Sequence, residues 1–214
     1  MAIKFNSVSG KAKKAANYYQ YKDGDNELRL IGDVMPRYVY WLKGPDGSNH
    51  GMECLGFDRD TETFKNKETD WVRKTFPDKK CSWAYLVQAI DVKEGKLVMV
   101  PLKKKLFEQI MTAAEDLGDP TDIEAGWNIM FKKVKTGSQA FNVEYTLQVL
   151  KCKSSPLTEA QRELIKELKP IDELVARPTP EEQREYIEAN LKDSGEAESA
   201  PAELGGESAE DVPY

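Results

Sequence analysis

Alternation of apolar and polar positions is strongest from Ser82 to Val92. Trp83, Tyr85, Val87 and Ala89 fall on one face, and Ala84, Leu86, Ile90 and Val92 on the other. A strand apolar on both sides for much of its length belongs in an interior. Lys93-Glu94-Gly95-Lys96 supplies a turn, with Gly95 free to take positive φ, and Leu97–Lys103 returns as the partner strand. The period then lengthens. From about Lys104, the residues Leu106, Ile110, Ala113 and Leu117 form a helical stripe, with Phe107, Met111 and Ala114 beside it and Gly118 in the C′ position. A hairpin followed by an amphipathic helix predicts a small β-barrel plugged by a helix. Lys103, Lys104 and Lys105 would stand at its rim.

The remaining pattern extends the barrel. Asp23-Gly24-Asp25-Asn26 is a turn before an alternating strand at Glu27–Asp33, and Arg37–Lys43 is a strand dense in aromatics. Gly44-Pro45-Asp46-Gly47 turns the chain into a third strand at Asn49–Phe57. Residues 58–80 are mostly charged, with Phe64, Trp71, Val72 and Phe76 as anchors, and read as a long insertion carrying a short helix at Trp71–Lys74. Trp127–Lys135 and Ala140–Lys151 complete at least seven strands. Capping signatures at Thr158–Gln161 and Thr179–Glu182 open two helices near the C-terminus. The fold expected is mainly β with helices: an elaborated OB-fold barrel over 26–153 with the 58–80 insertion. Residues 1–25 form a basic arm, 154–192 carry the C-terminal helices, and 193–214 form a disordered acidic tail.

Charge sharpens this division. The net charge of −6 conceals +4 over residues 1–153 and −10 over 154–214. Residues 193–214 hold seven acids and no base, a composition that buries too little apolar surface to order itself. The three cysteines are odd in number and lack CxxC spacing, the start is not an apolar signal, and no apolar run has the length of a membrane span. A cytoplasmic protein without a membrane partner is the expectation.

Catalytic signatures are weak: no Walker loop, GxGxxG, GxSxG or HExxH, and a single histidine, His50. Asp58/Asp60 and Asp116/Asp119 are the acidic pairs available to a metal-dependent nuclease, in stretches that read as solvated loops. His50, Cys54 and Cys81 offer three zinc ligands without a finger spacing, and isolated structural residues are the simpler reading. No metal or cofactor is expected. The outstanding constellation is aromatic plus basic: Arg37, Tyr38, Tyr40, Trp41 and Lys43; Trp83 and Tyr85 after Lys79 and Lys80; Lys103, Lys104 and Lys105; Phe131 beside Lys132, Lys133 and Lys135. Rings that stack on bases and cations that follow phosphates are how single strands are held without reading sequence. Strand alternation puts either Tyr38 and Tyr40 or Trp41 outward, not all three.

The order of these features resembles the single-stranded DNA-binding, helix-destabilising proteins of T-even-type bacteriophages. The resemblance rests on Glu27-Leu28-Arg29-Leu30-Ile31, Ser82-Trp83-Ala84, Gly95-Lys96-Leu97-Val98, the lysine run before Leu106-Phe107-Glu108-Gln109-Ile110, the two strands after Trp127, and the acidic tail. It implies an OB-fold core, cooperative sequence-independent binding to single-stranded DNA in replication, recombination or repair, and action in the host cytoplasm. It adds Arg29 and Phe141 to the DNA-contacting set. It likens Lys11, Lys13 and Lys14 to an arm that mediates self-association along DNA, and the tail to a segment that recruits replication or recombination proteins. The tip Glu210-Asp211-Val212-Pro213-Tyr214 also resembles the docking peptide of bacterial single-strand-binding proteins. The family's zinc insertion is not matched in ligand set, so the insertion is expected to hold itself by packing Phe64, Trp71 and Phe76. Rival readings are a protein–protein adaptor centred on the tail and the nuclease above. RNA as the bound strand stays open.

Overall fold

The computed structural model describes residues 17–139, 142–166 and 168–191. Strands β1 (Gly24–Met35), β2 (Tyr38–Lys43), β3 (Asn49–Glu53), β4 (Phe57–Asp58), β5 (Thr63–Phe64) and helix α1 (Trp71–Thr75) come first. Then follow β6 (Ser82–Trp83), β7 (Leu86–Asp91), β8 (Lys96–Pro101), helix α2 (Lys104–Leu117), β9 (Ile129–Lys135) and β10 (Val143–Leu147). Helices α3 (Glu159–Ile165), α4 (Ile171–Leu174) and α5 (Pro180–Asn190) complete the described chain.

The main sheet is antiparallel with strand order β10-β9-β1-β7-β8. As the alternation predicts, β7 is buried on both sides. Val87 and Ala89 enter the main core with Leu28, Leu30, Leu106, Ile110, Trp127 and Ile129, while Leu86 and Ile90 enter two smaller clusters beneath α4 and α3. The register of β1 on β7 slips between Ile31 and Val34, where Gly32 sits at φ 69° in the left-handed region open to glycine. α2 places Leu106, Ile110 and Ala113 on this core and ends at Gly118, also at positive φ.

The expected closed barrel is not formed, because β8 and β10 remain sheet edges. Each edge is covered. Asn17–Tyr19 pairs with Met99 of β8, and on β10 the Gln109 amide of α2 donates to the Tyr145 carbonyl (3.0 Å) and accepts from Leu147 N (2.7 Å).

The continuous strand expected from Ser82 to Val92 is divided. Ser82–Trp83 joins a second sheet of order β3-β2-β6, and the chain crosses to the main sheet at Ala84, whose N–H donates to Arg37 O (3.0 Å). The insertion closes a second core with the strands beside it, made of Tyr40, Cys54, Phe57, Val72 and Cys81, with Phe64, Trp71 and Phe76 packed against it as expected. Asp70 is its polar hub. One carboxylate oxygen accepts from Tyr40 Oη (3.1 Å), Cys54 Sγ (3.1 Å) and Gly56 N (3.2 Å), and the other caps α1 through Arg73 N (3.1 Å). α5 completes this core with Ile187 and Leu191, so the last helix docks on the insertion. Gln183 fastens it, donating to Glu53 O (2.8 Å) and accepting from Trp71 N (2.7 Å). Both capping boxes form as predicted, at Thr158 and Thr179.

Candidate nucleic-acid interface

The first turn of α2 is built against its own stability. Lys103 stands at the N-cap without a side-chain cap hydrogen bond, no acid occupies the first turn, and Lys104 and Lys105 open the helix. The positive end of the helix dipole favours an anion there, yet the sequence supplies three cations. The result is a concentration of positive charge at the helix start.

Rings flank it on two sides. Leu102 N donates to Tyr85 O (2.9 Å), which brings the β6–β7 crossing beside the lysines. There Trp83 stacks on Tyr85 at 4.4 Å and 17°, and Phe107 of α2 lies 5.8 Å from Trp83. Tyr38 continues this set towards Phe64 of the insertion, at 5.0 Å. On the other side Lys103 Nζ stands 5.3 Å over the Tyr21 ring and 5.7 Å over Tyr145. Tyr21 also meets Tyr145 (5.1 Å) and Phe131 (5.7 Å). Its hydroxyl donates to Pro101 O (2.8 Å), and burial raises its pKa, so the phenol stays neutral. Lys133 reaches in from β9, donating to Tyr21 O (3.2 Å) and pairing with Asp23 (2.9 Å). Tyr21, Tyr38, Trp83, Phe107 and Tyr145 are half-buried: the core fixes one part of each and leaves another part to solvent.

Four expected contacts are corrected by burial. Arg29 is 1 % exposed and donates to Asp122 O (2.7 Å), pinning the loop before β9 rather than facing outward. Phe131 is 1 % exposed in the main core, and Tyr40 lies in the insertion core on Asp70. Tyr85 is buried and donates to Glu62 (2.8 Å), a residue at φ 50° and the one non-glycine at positive φ among the described residues. Tyr85 thus backs Trp83 rather than offering its own face. Of the aromatic strand, Tyr40 is inward while Tyr38 and Trp41 are half-buried. Trp41 covers Gly51 of β3, where an added Cβ would meet the ring at 2.9 Å.

Arg37 donates to Ala84 O (3.0 Å) and locks the crossing, and Lys43 ends β2 opposite Asn49. Lys132 and Lys135 are exposed on β9. Lys11, Lys13, Lys14, Phe141 and Glu210–Tyr214 lie outside the described residues.

Sequence reasoning did not place Tyr21, Phe107 and Tyr145 among the rings around the lysines. Tyr21 stands in the arm, Phe107 on a helix flank and Tyr145 on a strand face. Tyr21 adjoins Lys22, but Phe107 and Tyr145 have no cation beside them, and only the fold brings all three to Lys103–Lys105. Among the described residues no group of three or more His, Cys, Asp or Glu is placed to hold a metal ion, and no helix is long and apolar enough to cross a membrane.

The chain is similar to a protein of Escherichia phage T5 described as a "Probable ssDNA-binding protein", with 26% identity over 162 residues. The match takes in 69% of this chain and 60% of that relative, so the chain spans less than two thirds of the relative's length. No protein-family model matches the chain.

Proposed function

We propose that this chain binds single-stranded DNA without sequence preference, as a phage protein of DNA replication, recombination or repair in the host cytoplasm. One observation carries the reading: a helix start bearing Lys103, Lys104 and Lys105, with no acid in its first turn, lies between two sets of half-buried rings. Phosphates follow the lysines and Lys133, while bases stack on the half-buried rings Trp83, Phe107, Tyr38, Tyr21 and Tyr145. Such stacking is worth about 1–3 kcal/mol per base, whatever the base. The similarity to the T5 protein supports this direction. The main sheet with α2 reads as an open, elaborated relative of the OB-fold, and the resemblance to T-even-type proteins is kept on those terms. We assign the arm to contacts between copies along DNA, and the acidic tail to partner proteins and to competition with DNA for the basic face. The role is non-enzymatic.

The test is titration of a labelled oligo(dT) at low and high salt, with the full chain and a chain ending at Lys192. That end point keeps Leu191, which is 1 % exposed in the insertion core. Saturable binding that weakens with salt and tightens without the tail is expected. Absence of binding at low salt in both chains would overturn the proposal and favour the adaptor reading.

A further inference from the structure

The β4–β5 hairpin ends its turn on a residue whose backbone is unusual for its type. Phe57 pairs with Phe64 and Asp58 with Thr63, which leaves residues 59–62 as the loop. The loop is anchored at its first residue, because Arg59 donates to both oxygens of the buried Glu53, at 2.8 and 2.6 Å. Its middle is fixed by Asp58, whose Oδ1 accepts from Asp60 N (2.9 Å) and Thr61 N (3.3 Å). Glu62, the last loop residue, then stands at φ 50°, in the left-handed region that glycine takes freely and an L side chain avoids. No other non-glycine among the described residues does so. Glutamate is thus a poor residue for the turn itself, and its side chain acts at a distance.

That side chain reaches out of the insertion. Glu62 Oε2 accepts from Tyr85 Oη at 2.8 Å, across 23 residues. Burial, and then this hydrogen bond, raise the Tyr85 pKa, so the hydroxyl remains a donor. Tyr85 is buried against Trp83, with ring centroids 4.4 Å apart and planes 17° from parallel. Phe107 packs on both rings, at 6.1 and 5.8 Å. The same hairpin touches the next ring of the set, since Phe57 and Phe64 lie 4.8 and 5.0 Å from Tyr38. Ring packing of this kind tolerates sliding, whereas the Tyr85 hydrogen bond has a direction and a length. It fixes where the Tyr85 ring lies in its plane, and with it the surface on which Trp83 rests.

The charge of Glu62 points the same way. A carboxylate beside a path for phosphates repels the strand, so electrostatics give Glu62 no favourable part in binding. We propose that Glu62 is a positioning residue for the stacking ring Trp83, acting through the Tyr85 hydroxyl. The assignment rests on the single-strand reading above and gives the insertion a part in it: its hairpin holds the platform on which a base stacks beside the lysines of α2. Charge and geometry have opposite consequences here. Loss of the charge alone tightens binding, and loss of the acceptor weakens it.

The test titrates labelled oligo(dT) with the full native chain, Glu62→Ala, Glu62→Gly, Glu62→Gln and Tyr85→Phe, at low and high salt, with an unfolding midpoint for each. Glu62→Ala and Tyr85→Phe are expected to bind about tenfold more weakly, within what one stacked base contributes. The slope of affinity against salt should not change, because no phosphate contact is lost. The two changes combined should lose no more than either alone. Glu62→Gln keeps a carbonyl acceptor without the charge and should bind at least as tightly as the native chain. Glu62→Gly removes the acceptor together with the backbone cost, so it should bind as weakly as Glu62→Ala while unfolding at a higher temperature than Glu62→Ala. Native affinity in Glu62→Ala, a Glu62→Gln chain as weak as Glu62→Ala, or affinity that merely follows the unfolding midpoint across the series would each overturn the positioning role and leave the DNA reading standing. A native chain that does not bind at low salt would overturn both.

Discussion

Replacing Lys104 and Lys105 by glutamate sets stability against binding. The two lysines occupy the first two helical positions of α2, whose first turn holds no acid. A charge near a helix end is worth about 0.3–1 kcal/mol at low ionic strength, so two favourable charges in place of two unfavourable ones gain about 1 kcal/mol. Contacts that the two lysines make in the native protein offset part of this. For a chain of this size the unfolding temperature rises by about 2–4 °C. Binding moves the other way. Each phosphate contact on a single strand contributes about 0.7 to the slope of log affinity against log salt, so two lost contacts lower the slope by about 1.4. Between 50 and 200 mM salt that removes about a sevenfold share of the salt effect. The assay pairs thermal unfolding with oligo(dT) anisotropy across that salt range. An unchanged slope would take the lysines off the DNA path. A lowered unfolding temperature alongside weaker binding would make the effect a folding defect and refute the reasoning.

Gln183→Ala leaves Glu53 O and Trp71 N without their partner and opens space in the insertion core. It is expected to cost about 2–4 kcal/mol in urea unfolding, with the insertion loosened before the main sheet by hydrogen exchange. Trp127, which is fully buried, donates to Gly118 O at 2.9 Å. Trp127→Phe should lose about 1–3 kcal/mol of stability without altering DNA affinity in the folded protein. Lys22 and Lys96 hold Glu94 down to about 2 by hydrogen bonding to its carboxylate. A depressed carboxylate stabilises above its unfolded pKa and loses that contribution as pH falls through the folded value. The stability difference between the native protein and Glu94→Gln should therefore be full above about pH 4.5 and vanish towards pH 2, read from unfolding midpoints.

Elements with a strong local signal were legible in the sequence. The two-sided apolar run of β7, the turn at Gly95, the stripe of α2 ending at Gly118 and the capping boxes at Thr158 and Thr179 all depend on neighbours within a few residues. What the sequence hid depends on distant partners. Nothing near Ser82–Trp83 says that these two residues leave the main sheet for β2, since both sheets accept the same alternation. Closure failed because the edges are covered from afar, β10 by Gln109 and β8 by Asn17–Tyr19. The candidate site shows the same split. The lysine run was visible as charge, but proximity to cations in sequence selected Tyr40 and Phe131, which the core absorbs. Tyr145 has no cation beside it, and Tyr21, though next to Lys22, stands in a polar leader; both meet Lys103 only through tertiary contact. Arg29 looked like a surface cation on an alternating strand. It is buried beneath the loop at Asp122, whose carbonyl accepts from one guanidinium nitrogen while Nε stays without a partner.

The central claim is tested most directly by tryptophan fluorescence on titrating oligo(dT) at low salt, in the native chain and in Trp83→Phe. Trp41, Trp71 and Trp83 are half-buried and Trp127 is fully buried, so the account assigns most of the response to Trp83 beside the lysines of α2. Saturable quenching that weakens with salt and is largely lost in Trp83→Phe is the predicted result. Absence of quenching, or quenching that survives the loss of Trp83 undiminished, would contradict a DNA path across this face.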